Sequence, residues 1–126
     1  MPDSVRDVLE LALTEDGVVR TYLMARTPDG CELVPGPRGR FASAGWAFFE
    51  DVQDLLDVDF FLDQFDTVLG GVRAIARTGT NITNLEITPD VSWLRMLGET
   101  GRGAAIPTGE FRDQLRCLRR FLSPAR

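Results

Sequence analysis

The hydrophobic pattern at the start of the chain fits two structures. Leucines occupy every second position over residues 9–13, which is the spacing of a half-buried strand. Ser4 followed three residues later by Asp7 instead resembles a helix capping box, in which the acid bonds back to the cap. We favour a helix that runs through Leu13, with a strand as the alternative.

A hairpin is predicted over residues 17–35. Residues 18–26 (VVRTYLMAR) are rich in the β-branched and aromatic residues typical of strands. Residues 27–30 (TPDG) place proline second and glycine fourth, as a β-turn prefers. The short apolar stretch that follows is predicted to be the return strand.

Two helices are predicted in the middle of the chain. Ser43 can cap the first, whose apolar residues follow helical spacing: Trp46, Phe49, Val52, Leu55 and Leu56. The second is indicated by Phe61, Phe65, Val68, Leu69, Val72 and Ile75. The glycine pair at 70–71 favours a kink or a break in that second helix, because glycine disfavours a helix interior.

The last third of the chain predicts four short elements. Residues 81–88 have the pattern of a strand, residues 89–101 of a short helix, and residues 103–107 of an edge strand. Residues 108–122 predict a closing helix, capped by Thr108, with an apolar stripe of Phe111, Leu115, Leu118 and Leu122. The elements together predict an α+β fold in which a small, mainly antiparallel sheet packs against three to five helices. The length predicts a single compact domain over residues 1–126.

Composition narrows the chemistry that this chain can perform. All 14 basic residues are arginine, and histidine is absent. A Ser-His or Cys-His dyad is therefore excluded, and no lysine can form a Schiff base. The remaining reactive groups are carboxylates, arginines, Tyr22, Cys31 and Cys117. We predict that the protein is not an enzyme and has neither catalytic residues nor a cofactor, with an enzyme or small-ligand domain as the less favoured class.

The two cysteines and the chain termini carry no signal for metal, secretion or membrane insertion. Cys31 and Cys117 lack the close spacing of a zinc site, and Cys117 lies near the predicted apolar stripe, where a small buried thiol is typical. The first residues do not resemble a signal peptide, so a disulfide is not expected. No segment approaches the ~20 apolar residues of a membrane span. We expect a cytoplasmic protein with no membrane contact.

Acidic residues are concentrated in one stretch, residues 50–66 (EDVQDLLDVDFFLDQFD). Between residues 41 and 72 there are seven acids and no base: Glu50, Asp51, Asp54, Asp57, Asp59, Asp63 and Asp66. The rest of the chain has fourteen arginines against twelve acids, so this stretch accounts for the negative net charge of −5. Helical spacing would place the acids on the side opposite to the apolar residues. The pattern fits a solvated helix face, but such faces usually mix the two signs of charge.

A binding surface for a basic protein explains the single sign of this charge. Clustered carboxylates produce a negative potential that steers a cationic partner and repels nucleic acid. The predicted partner-binding residues are the seven acids together with Trp46 and Phe60, while exposed members of Trp46, Phe48, Phe60 and Phe61 can act as apolar anchors. The stretch lacks the glycine of a calcium loop, so a metal is not predicted. The protein is expected to be a monomer or a homodimer.

Two other segments bear on this hypothesis. Arg112, Arg116, Arg119 and Arg120 form a basic strip on the closing helix, which can pair with the acidic helices within one chain or across a dimer. Residues 98–109 (GETGRGAAIPTG) are rich in glycine but lack the G-K-[ST] ending of a phosphate loop. Arg102 is the only cation there, so we interpret the segment as a connection.

The general plan resembles that of small bacterial toxin-immunity and inhibitor proteins: an acidic α+β chain without a catalytic set, with acidic helices beside aromatics. The closing segment LEITPDVSWLRMLGETGRGAAIPTGEFRDQLRCLRRFL looks broadly like the ends of such chains. The resemblance implies tight binding that occludes a cognate toxin, often a basic nuclease or a nucleotide-modifying enzyme. Phage inhibitors of bacterial defence use the same physics. A second resemblance, to acidic secretion chaperones, rests on size, on the sequence pI of about 4.7 and on the predicted helix-hairpin-helix opening.

Overall fold

The computed structural model describes residues 7–34 and 43–123. Within them the chain is α+β, with two antiparallel sheets and three helices. The expected antiparallel pairing is confirmed, but the strands form two sheets instead of one. The elements are β1 (Val8–Glu15), β2 (Val18–Thr27), β3 (Gly30–Leu33), α1 (Ala44–Asp51), α2 (Leu55–Leu69), β4 (Ala76–Gly79), β5 (Thr83–Ile87), β6 (Val91–Met96), β7 (Ala104–Pro107) and α3 (Thr108–Leu122).

The first sheet has the order β1-β2-β3 and begins with a correction. The segment favoured as a helix is the strand β1, so the helix prediction was wrong, and the proposed Ser4 cap lies outside the described residues. Leu11 and Leu13 are fully buried while Glu10 is exposed, because the side chains of a strand alternate between its faces. Leu11 pairs with Tyr22 of β2, which fixes the register of this face.

The predicted hairpin is confirmed as β2 and β3, although Pro35 at its predicted end lies outside the described residues. Gly30 starts the return strand at the point where the connection between α1 and α2 passes over it. A Cβ atom at Gly30 would collide with the backbone oxygen of Gln53. That oxygen accepts a hydrogen bond from the backbone N–H of Cys31 at 2.8 Å, so the contact ties the first sheet to the helices.

The two middle helices are confirmed, but the break between them was misplaced. Ser43 caps α1 as predicted, since its side chain accepts a hydrogen bond from the Trp46 N–H. The chain leaves the helix at Val52, and Asp54 then caps α2 by accepting from the Asp57 N–H. An aspartate is among the best N-caps, so it can start a new helix after the short interruption. Helix α2 ends at Leu69, so the break expected at the glycine pair 70–71 is confirmed, and Val72 and Ile75 lie outside the helix.

The second sheet has the order β4-β5-β6-β7 and contains a second correction. The predicted short helix over residues 89–101 is the strand β6 followed by a turn. Ser92 and Leu94 are fully buried, whereas Trp93 and Arg95 between them are partly exposed, which is the alternation of a strand. The predicted strands at 81–88 and 103–107 are confirmed as β5 and β7, whereas β4 was not predicted.

The closing helix α3 is confirmed with its apolar stripe. Phe111, Leu115 and Leu118 are fully buried. Thr108 is the first residue of the helix instead of its cap, because Pro107 occupies the cap position without a side-chain hydrogen bond. The Thr108 hydroxyl donates to the Thr88 carbonyl oxygen at 2.6 Å, which anchors the start of α3 to the second sheet.

Helix α3 also covers the free edge of the first sheet. β1 is an edge strand, and its outward N–H groups need partners that a neighbouring strand would otherwise supply. The Gln114 side chain accepts a hydrogen bond from the Ala12 N–H at 2.8 Å, and the Glu110 carboxylate accepts bonds from the Thr14 N–H and hydroxyl. These side chains satisfy buried donors and block further strand pairing at this edge.

The replacement Gln114→Ala is expected to lower the free energy of unfolding by about 1–3 kcal/mol, because it leaves the Ala12 N–H without its acceptor under α3. Urea denaturation of the two proteins gives the difference. The matched control is Gln64→Ala, since no side-chain hydrogen bond of Gln64 is recorded among the described residues. Equal losses in both variants would contradict the proposed role of Gln114.

Candidate functional site

An open groove lies between the α1–α2 junction and the turn that joins β4 to β5. Its walls are Asp51, Leu56, Asp57, Phe60, Phe61 and the turn residues 79–81, and its volume is about 480 Å³. Among the described residues that line this groove, none is basic. We call it the α2 groove. Side chains of both predicted types, acidic and apolar, therefore meet at one place.

Two large apolar side chains of the α2 groove are exposed to solvent. Leu56 is 80% exposed and Phe60 is 49% exposed, and they lie one helical turn apart on α2. Phe61 lies beneath them, with its ring edge-on to that of Phe60 at 5.1 Å between centroids. Trp46 and Phe48 lie in the core instead, at 7% and 0% exposure, so they cannot serve as surface anchors.

Leu56 was expected to face the core with the apolar residues of the first helix, and this prediction was wrong. The backbone interruption between Val52 and Asp54 restarts the helical phase, so the spacing counted from Trp46 no longer applies after it. Leu56 becomes the second residue of α2 and points outward. An exposed leucine beside an exposed aromatic residue is more typical of an interaction surface than of a solvated helix face.

The structure divides the seven acids into three sets, of which the first is paired with arginines of α3. Asp59 forms an ion pair with Arg119 at 2.6 Å, and Asp66 lies 3.8 Å from both Arg112 and Arg116. The expected pairing of the basic strip within one chain is therefore confirmed for three of its arginines. The expectation that all seven acids form one uncompensated surface was wrong for Asp59 and Asp66, whose charge is balanced by α3.

Three other acids crowd together where α2 begins. Asp54 caps the helix, and Asp51 and Asp57 line the α2 groove beside it. Burial raises the pKa of Asp57 above its ordinary value, and the nearby carboxylate of Asp54 raises it further. One carboxylate oxygen of Asp51 is shielded from solvent and has no hydrogen-bond partner in the described part of the chain. Ionisation of Asp57 therefore opposes folding.

The last two acids lie on either side of this cluster. Asp63 is exposed one turn after Phe60, and no ion pair is recorded between it and any described residue. Glu50 is partly buried near the end of α1, where its backbone oxygen accepts a hydrogen bond from the Gln53 side chain at 2.7 Å. Near the α2 groove, Asp51, Asp54, Asp57 and Asp63 are therefore the acids for which no ion pair with a described arginine is found.

Both cysteines are free thiols. Cys31 is buried, and this burial raises the pKa of its thiol to about 11, so it is protonated and unreactive near neutral pH. Cys117 is only partly buried, and the Arg120 guanidinium donates to its sulfur at 3.3 Å. Arg120 is thus the one member of the basic strip for which we find no carboxylate partner among the described residues.

A second polar cluster lies at the start of α1. The Tyr22 hydroxyl donates to the Glu15 carboxylate and hydrogen-bonds the Ser43 hydroxyl at 2.6 Å, while the Gly45 N–H donates to Glu15 at 3.4 Å. Burial raises the pKa of Glu15, despite the nearby Arg20, and burial with the Glu15 bond raises the pKa of Tyr22 far above its usual range. A buried acid of this kind is a common signature of an active site. Here each group is engaged in holding α1 against the first sheet.

Glu15 makes stability depend on pH in a direction that can be tested. Because the pKa of Glu15 is raised in the folded state, the protonated carboxyl group stabilises the fold. This contribution is complete below the ordinary pKa of 4.5 and is lost as pH rises through the raised pKa. The variant Glu15→Gln cannot ionise, so its stability relative to the parent is expected to improve as pH rises. Urea denaturation across a pH series measures the difference. A difference that stays constant with pH would contradict the raised pKa of the buried Glu15 carboxylate.

Residues 7–34 and 43–123 contain no group of three potential ligands placed to hold a metal ion. No helix in the same segments is long and apolar enough to cross a membrane. The two carboxyl groups with raised pKa values in the described part of the chain, Glu15 and Asp57, lie in the Glu15 cluster and in the α2 groove.

Comparisons with protein-family models, curated proteins and solved structures found no match.

Sequence patterns indicated only part of this site. The acids and Phe60 were singled out, and the structure brings Asp51, Asp57 and Phe60 to one groove. The Glu15 cluster was missed, although Glu15 continues the inward phase of Leu11 and Leu13 once β1 is treated as a strand. The walls from the β4–β5 turn could not be found, because β4 itself was not predicted.

Proposed function

We propose that this chain is a non-enzymatic binding protein that uses the α2 groove to contact a basic protein. Leu56 and Phe60 supply the apolar anchors, and Asp51, Asp57 and Asp63 attract cationic side chains around them. The best-fitting class of function is that of an acidic inhibitor or immunity protein that occludes a toxin or nuclease. Phage inhibitors and secretion chaperones with basic partners would use the same chemistry.

The exposed Leu56–Phe60 pair is the observation that carries this proposal. At 80% and 49% exposure, these side chains place apolar area in water next to carboxylates. Interfaces draw most of their energy from a few apolar or aromatic residues, surrounded by polar groups that exclude water. The α2 groove has this composition, with no basic side chain among its described lining residues.

The acidic cluster at the start of α2 is better explained by a role in binding than by a role in stabilising the fold. The raised pKa of Asp57 indicates that its ionised form is disfavoured in the fold, and a shielded carboxylate oxygen of Asp51 has no donor among the described residues. Like charges that repel within a protein are relieved when a cationic partner arrives. Exposed carboxylates within a Debye length, about 8 Å at physiological salt, also accelerate the encounter.

The same charge argues against a symmetric dimer through this surface. A two-fold interface places the same patch of both copies face to face. Asp57 and Asp63 would then approach their own copies, or each other, without a compensating base. A partner that carries arginine or lysine around an apolar knob fits the α2 groove better than a second copy of this chain.

The partner can be captured with the purified chain from lysate of cells that encode it. The parent and the variant Asp51→Asn/Asp57→Asn/Asp63→Asn serve as parallel baits. We expect a basic protein to bind the parent, to be released by raised salt, and to be lost or much reduced on the variant. Asn keeps the size of each side chain, so the comparison isolates charge.

The matched control bait is Glu10→Gln/Asp90→Asn/Asp113→Asn, which removes the same charge from exposed positions outside the α2 groove. We expect it to retain the basic protein as the parent does. Identical sets of captured proteins on all three baits would overturn the proposed function.

A further inference from the structure

The outer face of the second sheet has the opposite charge to the α2 groove. The helices pack against the inward side chains of this sheet, such as Leu85 and Leu94, which are buried. The outward side chains line an open groove of about 480 Å³: Arg77, Asn84, Glu86, Trp93, Arg95 and Arg102. Three arginines against one glutamate make this face basic within a chain of net charge −5.

Two of these guanidinium groups are available to an anion. Arg77 lies 3.5 Å from Glu86, so its charge is partly compensated. Arg95 instead donates to the backbone oxygen of Glu99 at 2.9 Å, and Arg102 contacts the Trp93 ring. No ion pair of Arg95 or Arg102 with a carboxylate is recorded among the described residues. Guanidinium groups that are not paired with a carboxylate can bind a phosphate through two parallel hydrogen bonds.

Backbone geometry holds Arg102 over the indole. The guanidinium carbon of Arg102 lies 4.6 Å from the Trp93 ring centroid. Gly101 and Gly103 on either side have φ of +83° and +97°, which favour glycine. A Cβ atom at Gly103 would also collide with the Leu94 carbonyl oxygen, so the loop passes directly over β6. The glycine-rich segment interpreted as a connection therefore positions a cation and an aromatic ring together.

We propose that this face binds a nucleotide, with its base stacked on Trp93 or on the Arg102 guanidinium and its phosphate held by Arg95 and Arg102. The surface offers a flat aromatic ring, two arginines without a carboxylate partner in the described part of the chain, and the Asn84 amide beside Arg95 in the sheet register. An acidic peptide would use the cations but not the ring, whereas a nucleotide uses both. The volume also lies in the range of small-ligand sites, about 300–1,000 Å³.

The binding of a nucleotide here is independent of the α2 groove and of its basic partner. The acids of α2 repel phosphate. However, α1 and α2 pack against one face of the second sheet, and the outward side chains of β5 and β6 lie on the other face. The ligand can be a free nucleotide or part of a single-stranded nucleic acid, because both present the same base and phosphate. The test therefore contains one probe for each source.

The indole N–H resonance of Trp93 reports binding in nuclear magnetic resonance titrations of the full chain. The probes are adenosine triphosphate, a single-stranded DNA of about six nucleotides, inorganic triphosphate, and hexaglutamate. We expect the two nucleotide probes to shift the Trp93 resonance, leave that of buried Trp46 unmoved, and bind at least about ten times more tightly than the two probes without a base. Tighter binding of the DNA at equal nucleotide concentration identifies nucleic acid as the source, and equal or weaker binding identifies the free nucleotide.

Two variants and a matched control complete the experiment. Arg95→Gln and Arg102→Gln are each expected to weaken nucleotide binding about ten-fold, because each removes a charge-assisted contact to phosphate. Arg120→Gln removes the same charge from α3 and should change the affinity less than two-fold, a change of about 0.4 kcal/mol. The proposal is overturned if neither nucleotide shifts Trp93, if triphosphate or hexaglutamate binds as tightly as the nucleotides, or if the control weakens binding equally.

Discussion

Replacing Phe48 with alanine is expected to lower the free energy of unfolding by about 3–5 kcal/mol. Phe48 is fully buried, and its ring lies edge-on to those of Phe49, Phe61 and Phe111 at 5.3, 5.0 and 5.1 Å between centroids. One side chain thus connects all three helices. Its removal leaves a cavity that the surrounding rings cannot fill without losing their own contacts.

The loss is large compared with the total stability of an ordinary domain, about 5–15 kcal/mol. Urea denaturation followed by circular dichroism measures it. The control is Leu56→Ala, which removes an apolar side chain of similar type that is 80% exposed and should change stability by less than about 0.5 kcal/mol. Equal effects of the two substitutions would contradict the assignment of Phe48 to the core and of Leu56 to the surface.

The double variant Leu56→Ser/Phe60→Ser is expected to bind the basic partner at least about 100-fold more weakly than the parent does, a loss of about 2.7 kcal/mol. Both side chains lie in the α2 groove, and their removal takes away the apolar centre of the proposed interface. The expected change is mainly a faster dissociation, because the acids that steer the encounter are unchanged. Surface plasmon resonance with the captured partner gives both rate constants.

Val18→Ser/Val19→Ser is the matched control for this variant. These valines are 53% and 65% exposed at the start of β2 and do not line the α2 groove. The control should bind as the parent does, and both variants should keep a cooperative unfolding transition. A control that loses as much affinity as the Leu56–Phe60 variant would mean that exposed apolar area in general, and not this groove, determines binding.

Elements with one clear pattern could be predicted from sequence. Helix α3 shows an apolar stripe at helical spacing, and the β2–β3 hairpin has its turn signal in residues 27–30, so neither depends on the rest of the chain. Strand β6 was assigned to a helix because its few inward residues, Ser92 and Leu94, make a short pattern. The strand is stabilised by pairing with both β5 and β7, which no local signal reveals.

The helical faces were harder to predict than the helices themselves. Helix α1 is buried on nearly all sides, since Gly45 to Phe49 are all inaccessible, so its spacing could not show which aromatic residues reach the surface. In α2 the interruption at residues 52–54 changed the phase and turned Leu56 outward. The exposed anchor Leu56 therefore came from the structure, whereas Phe60 had been predicted.

Which acids of residues 50–66 pair with arginines depends on contacts between residues that are far apart in the sequence. Asp59 and Arg119 are separated by 60 positions, and their ion pair requires α2 and α3 to pack side by side. The sequence pattern allowed pairing within the chain or across a dimer, and only the fold decides between them. For Asp51, Asp57 and Asp63 no ion pair with an arginine is found among residues 7–34 and 43–123, and none of the described residues that line the α2 groove is basic.

The ionic-strength dependence of the association rate tests the central claim most directly. The captured partner is mixed with the parent or with Asp51→Asn/Asp57→Asn/Asp63→Asn at salt concentrations from about 50 to 500 mM, over which the Debye length falls about three-fold. We predict that the parent associates at least about ten-fold faster than the variant at low salt and that the two rates converge at high salt. Equal rates and equal salt dependence for both proteins would contradict the account.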